Sequence, residues 1–215
     1  MHRYFITGTD TDVGKTRVTA GLALALRRAG ANPTIVKLVQ TGLVDGEPGD
    51  AAHAGTLANV PAFEFARFKK PADPWSAALA ASAPAPEADM LAARLAEIPG
   101  SVVAEGAGGI MVPLNAREHF GHVAARGGLA TILVVGLRLG CINHALLTAA
   151  LCEQLRLPVA GAVLVERWEP VEEHYRSDVV RALQGKLKIF GIVPFALDEA
   201  SSVEDVARLF ETFVR

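Results

Sequence analysis

The chain has 215 residues, 51% hydrophobic and 20% charged, enough for one sizeable core, and a single domain over 1–215 is expected. A formal net charge of −2 and no basic block longer than Arg27-Arg28 or Lys69-Lys70 leave no positive field for a polyanion, which excludes nucleic acid as a partner. The longest apolar stretch, Gly127 to Leu137, is shorter than the roughly 20 residues of a membrane span, and Met1-His2-Arg3 leads into a strand pattern without signal-peptide features, so a cytoplasmic protein with no membrane partner is expected.

The first predicted strand, "RYFIT", leads into "GTDTDVGKT" at residues 8–16 and then a helix from Thr16 to Ala29. A glycine-rich turn between a strand and a helix aims backbone N–H groups and the positive helix end at one point, which suits phosphate. In such a loop Lys15 reaches the terminal phosphates and the Thr16 hydroxyl reaches Mg²⁺. Five residues, Thr9 to Val13, separate the first glycine from Gly-Lys-Thr, where the common pattern has four.

The next strand, "PTIVKLV", places Lys37 at its end, facing the phosphates across the crevice. In "PGDAAH", Asp50 opens a helix and suits its N-cap, while the neighbouring His53 reads equally as a contact to the site or as a helix-surface residue. "FKKPADPWSAALAAS" follows, with Trp75 read as a core aromatic. "AASAPAPEAD" reads as a connector into a helix from Glu87 to Glu97. The strand "SVVAEG" then delivers Glu105 into a glycine turn, where packing gives no reason for an acid and a Mg²⁺-linked role does.

His119 and His122, like Cys141 and His144, have ligand-like spacing, but neither pair finds the second pair that a closed zinc site needs. After the strand "ATILVVG" a helix runs to about Leu155 with Asn143 near its start. It holds Cys141 and Cys152 about 16 Å apart, too far for a disulfide. Two more strands, "VAGAVLV" and "KIFGIVP", complete the series. Their continuous apolar runs, alternating with helical stretches, predict an α/β fold of the P-loop NTPase type, a parallel sheet with helices on both faces.

Together "GTDTDVGKT", "KLVQTG", "GDA", "EGAGG" and "LGCINHALLT" resemble the dethiobiotin synthetase family, in that order and over Tyr4 to about Pro194. The resemblance implies a homodimer that converts 7,8-diaminopelargonate, CO₂ and ATP with Mg²⁺ into dethiobiotin, ADP and phosphate. It makes Lys37 and Lys15 the catalytic cations. Asp12, Val13, Gly14, Lys15, Thr16, Glu105 and Pro194 bind the nucleotide, and Thr16, Asp50 and Glu105 hold the metal. Thr11, Lys37 and Thr41 contact the diamine or its carbamate. Cys141, Ile142 and Asn143, at a helix start reached across the dimer interface, receive the substrate carboxylate; a role for Asn143 as the cap of that helix is compatible with this.

Two positions depart from the family pattern. Leu38 stands where a proline usually follows the strand-end lysine, so backbone geometry there should differ. Val165 stands where an asparagine usually reads adenine, and valine offers no side-chain hydrogen bond, so weaker nucleotide discrimination is expected. The rival reading is a nucleotide switch of the partition-ATPase kind, but those carry an additional lysine where this chain has Asp10. An amidating ligase of the cobyrinate type shares the loop, but it normally adds a glutaminase domain that this length does not hold.

Overall fold

The computed structural model describes residues 1–214. Its centre is a seven-stranded parallel sheet. In spatial order the strands are β4 (Ala62–Glu64), β2 (Pro33–Lys37), β6 (Ser101–Gly109), β1 (Arg3–Gly8), β7 (Ala130–Gly136), β8 (Val159–Val165) and β9 (Ile189–Val193). The six strands predicted from apolar runs are all present, and β4 is an additional short edge strand. A second pair, β3 (Gln40–Thr41) with β5 (Arg67–Phe68), lies apart from the main sheet.

Strand alternation divides the core in two, because successive side chains point to opposite faces. On one face Tyr4, Ile6, Ile35, Val103, Ile132, Val134 and Val163 pack against α1 (Lys15–Arg28), α2 (Asp50–Ala58) and α8 (Glu199–Phe210). On the other, Phe5, Val36, Val102 and Ala104 meet α3 (Pro74–Ala80), α4 (Ala88–Ala96) and α5 (Phe120–Arg126). Also on that side, Leu133, Val135 and Leu164 meet α6 (Cys141–Gln154) and α7 (Glu173–Leu183). Leu22 and Leu26 of α1 are fully buried, each contributing about 2–3 kcal/mol of hydrophobic stabilisation. Central α1 therefore carries the fold and, at its N-terminus, the phosphate loop.

Three local expectations are corrected. Gly49, not Asp50, caps α2; Asp50 is its first residue, and its backbone N–H donates to Gln40 Oε1 at 3.0 Å. Gly140, in left-handed backbone at φ 94°, caps α6, so Asn143 sits inside the first turn rather than at the cap. Trp75 is half-buried on a surface groove with Glu87 and Asn115 instead of in the core, because α3 turns only Pro74, Ala77 and Ala78 inward.

Candidate active site

The phosphate loop joins β1 to α1. Gly14 takes a left-handed conformation, φ 96°, which a side chain resists. A Cβ at Gly8 would lie 2.7 Å from the Val13 side chain and 3.1 Å from Lys15 Nζ, so only glycine lets the loop fold back over the strand end. Val13 itself is buried and wedges the loop onto the sheet. The first turn of α1 is thereby directed at a cavity of about 370 Å³, with its N–H groups and positive dipole end suited to an anion.

The same alternation that sorts the core places the chemistry. Ile35 and Val103 face α1 and α2, so Lys37 and Glu105, one repeat further along β2 and β6, project to that side too. There Lys37 Nζ lies 2.6 Å from Glu105 Oε1 and 2.5 Å from Asp50 Oδ2. Glu105 also accepts hydrogen bonds from Thr16 Oγ1 at 3.1 Å and Thr19 Oγ1 at 2.8 Å. Lys37 is 3% exposed and Glu105 1% exposed.

The two lysines differ in how firmly their charge is held. Burial works against a charge on Lys37, but attraction and hydrogen bonds from Glu105 and Asp50 outweigh it and hold the ammonium above the ordinary lysine range. Lys15 has no such direct carboxylate partner; its Nζ donates to the Asp10 backbone oxygen at 2.8 Å. Burial, reinforced by repulsion from Lys37, pulls Lys15 down to about 8 despite Glu105, Asp50 and Asp10. Lys37 is a fixed cation, and Lys15 is a cation waiting for an anionic partner.

Of the expected site residues, Thr11, Asp12, Gly14, Lys15, Thr16, Lys37, Thr41, Asp50 and Glu105 line this one cavity. Val13, Pro194, Cys141, Ile142 and Asn143 do not. Pro194 follows β9 at the sheet's far end, beside the residues that follow Val165. Cys141 is buried with its Sγ 3.6 Å from Tyr175 Oη, and its backbone N–H is taken by Arg138 O, so of the α6 start only Ile142 and Asn143 keep N–H groups for an anion. Sequence reasoning missed Arg17, Gln40, Arg167 and Glu199, which also line the cavity, as do His53, Ala107 and Gly108. It also missed Thr19, whose place one turn after Thr16 on the same helix face was the available signal.

Ion pairs from distant parts of the chain hold the loop's flank. Asp12 accepts two hydrogen bonds from Arg167, at 2.8 and 3.1 Å. Asp10 pairs with Arg138, whose guanidinium lies 5.0 Å from the centre of the Trp168 ring. His53 Nε2 lies 2.6 Å from Glu199 Oε2 at the cavity rim.

The two departures also acquire structural meaning. Leu38 is buried, and its N–H donates to Glu105 O at 3.0 Å, a bond that proline at this place would forgo. Val165 is 1% exposed and covers Gly14, with its Cγ1 3.1 Å from where a Cβ there would lie. Its side chain is thus part of the floor under the phosphate loop. His119 caps α5 and packs against His122 with the rings tilted by 35°, and among the described residues no three His, Cys, Asp or Glu side chains gather as a metal cage.

A parallel sheet, a phosphate loop and two lysines in one cleft define a P-loop protein that uses a nucleoside triphosphate. Residues 2–201 match the family described as AAA domain. The ATP-dependent dethiobiotin synthetase of Nitrosospira multiformis is 36% identical over 218 residues, 96% of each chain. That of Anaeromyxobacter dehalogenans strain 2CP-C is 42% identical over 170 residues, 76% of each chain. The chain belongs to the ATP-dependent dethiobiotin synthetase family and is a ligase. Solved structures extend the likeness of fold alone. The cell division ATPase MinD of Pyrococcus furiosus has a TM-score of 0.58 at 16% identity, over 99% of this chain and all of that one. A plasmid partition protein of Borrelia burgdorferi has a TM-score of 0.60 at 10% identity, with the same coverage.

Proposed function

We propose that this chain closes the ureido ring of dethiobiotin from 7,8-diaminopelargonate, CO₂ and ATP. One substrate amine forms a bond to the carbon of CO₂ and loses a proton, giving a carbamate. A carbamate oxygen attacks the γ-phosphorus as its bond to the ADP oxygen breaks, leaving a carbamic-phosphoric anhydride. The second amine attacks the carbamoyl carbon, loses a proton and expels phosphate.

The difficulty in this sequence is electrostatic, because a carbamate must approach an anionic triphosphate. The observation that carries the proposal is Lys37, an ammonium 3% exposed at a strand end, in the same cavity as the phosphate-loop Lys15. A fixed cation there offsets the repulsion where the two anions meet and needs no reorganisation as charge moves. Lys15 faces the β- and γ-phosphates, which supply the charge partner it lacks. Thr11 and Thr41 line the same cavity and suit polar contact with the diamine.

Mg²⁺ fits the donors present. Thr16, Glu105 and Asp50 offer hard oxygens only, and the two carboxylates already gather one cation, the Lys37 ammonium. Mg²⁺ usually keeps several waters and takes phosphate oxygens, so two carboxylates and a hydroxyl suffice from the protein. When bound, it neutralises charge on the phosphate oxygens.

In this reading the substrate carboxylate meets the Ile142 and Asn143 N–H groups of a second subunit. Support comes from an apolar groove lined by Ile110, Met111, Leu147 and Leu151, in which Met111 is 60% and Leu147 61% exposed, apolar surface suited to a symmetric partner. The decisive experiment incubates purified protein with diaminopelargonate, bicarbonate and MgATP and detects the cyclic urea by mass. Folded protein that hydrolyses ATP without the diamine and forms no urea would instead favour the nucleotide-switch reading.

A further inference from the structure

Arg167 and Arg17 both lie beside the phosphate loop, and they are held very differently. Arg167 is held by two hydrogen bonds to Asp12. Arg17 lies directly after Thr16 in the first turn of α1, and its side chain is 11% exposed, yet among the described residues its one ion-pair partner is Glu199 Oε1 at 3.6 Å. That separation is beyond hydrogen-bond range. Glu199 is itself already committed to His53 at 2.6 Å through its other oxygen. A guanidinium carries five N–H donors in a planar fork, and no Arg17 nitrogen is both buried and unpartnered, so these donors stay open to the space in front of them. All three side chains line the phosphate cavity, so an anion bound there is within reach of donors that the protein itself leaves free.

The position of Arg17 indicates which part of a ligand it serves. Lys15 and Thr16 belong with the Lys37, Asp50 and Glu105 network, the end that receives the terminal phosphates and metal. Arg17 leans the other way, toward the start of α8, which follows the β9 turn. A nucleotide that places its γ-phosphate by Lys37 brings its α-phosphate toward this side. We propose that Arg17 is a further nucleotide-binding residue whose guanidinium grips the α-phosphate by paired charge-assisted hydrogen bonds, with Glu199 and His53 holding it ready. The assignment rests on the nucleotide reading of the phosphate loop and adds to it a cation supplied by a side chain outside the loop motif.

Isothermal titration of the full-length wild type, Arg17→Gln and Arg17→Lys with ATP and with inorganic tripolyphosphate tests it. The expected result is a loss of tenfold or more for Arg17→Gln with both ligands, a smaller loss for Arg17→Lys, and thermal unfolding midpoints of the free proteins within about 4 °C of wild type. A merely structural pair between α1 and α8 would instead lower the midpoint and leave affinity unchanged, which would overturn the proposal. A loss seen with ATP and absent with tripolyphosphate would overturn the phosphate assignment. If the wild type itself binds neither ligand, the reading of the loop falls, whereas wild-type binding with an unaltered Arg17→Gln sinks only the role of Arg17.

Discussion

Glu105 and Glu166 form a natural pair for comparison: each follows the apolar run of a parallel strand and each is 1% exposed. They differ in what they hold. Glu105 is bonded to side chains, the Lys37 ammonium and the hydroxyls of Thr16 and Thr19, all beside a cavity. Glu166 is bonded to structure, accepting the Phe195 backbone N–H at 3.0 Å and pairing with Arg176 of α7. In the proposed reaction the first set of partners can be exchanged for phosphate, metal and substrate; the second pins the turn after β9 to the end of β8. A buried acid at a strand end is therefore not in itself a mark of catalysis, and its partners decide.

The largest effect should come from removing the cation on the Glu105 side. Lys37→Ala is expected to lower the rate of urea formation about a thousandfold while nucleotide affinity stays within about threefold, as read by mass detection and titration. A lost affinity with a surviving rate would invert the assigned role. Next comes the direct swap. Glu105→Gln should cut turnover about a hundredfold in a folded protein, whereas Glu166→Gln should cost ~2 kcal/mol of unfolding free energy, discounted for the partly exposed Arg176, and leave turnover within a few-fold. Denaturant unfolding beside kinetics separates the two, and equal behaviour would erase the contrast.

A smaller effect concerns pH. The free protein holds Lys15 at about 8, and a bound triphosphate raises that value by attraction, so the complex takes up a proton. Nucleotide affinity should be full below about pH 8 and fall up to about tenfold per unit above it. The sign for folding is opposite: with the folded value below the unfolded one, the free protein gains stability as pH rises from about 8 toward 10.5. A flat titration of affinity between pH 7 and 9 would count against Lys15 as the waiting cation. The smallest effect belongs to the Glu166 end, where Val165 offers no base contact; ATP should be preferred over other nucleoside triphosphates by less than about tenfold in turnover. Strong ATP selectivity would show that the backbone around Val165 to Phe195 reads the base by itself.

These tests also mark how far the sequence could be read. Six strands were legible because burial on both faces leaves unbroken apolar runs, while β3, β4 and β5 are only two or three residues long and show no period. Lys15, Lys37 and Glu105 were legible because each stands directly at a strand end or in a motif with a chemical reason of its own. The pairs that hold the site were not, since Asp12 with Arg167 and Glu199 with His53 join residues 155 and 146 positions apart. Asp50 showed the opposite limit: a helix-start acid has a ready local explanation as a cap, and only the fold reveals that it turns to Lys37 instead.

The hydrogen bond from the Leu38 N–H to Glu105 O carries the parallel ladder one step past Lys37. It ties the backbones that carry the cation and its acid into one rigid ladder, so that only their side chains trade partners when substrates arrive. An enclosing movement during turnover is then expected of the segments that bear Thr41 and Asp50, against a rigid wall.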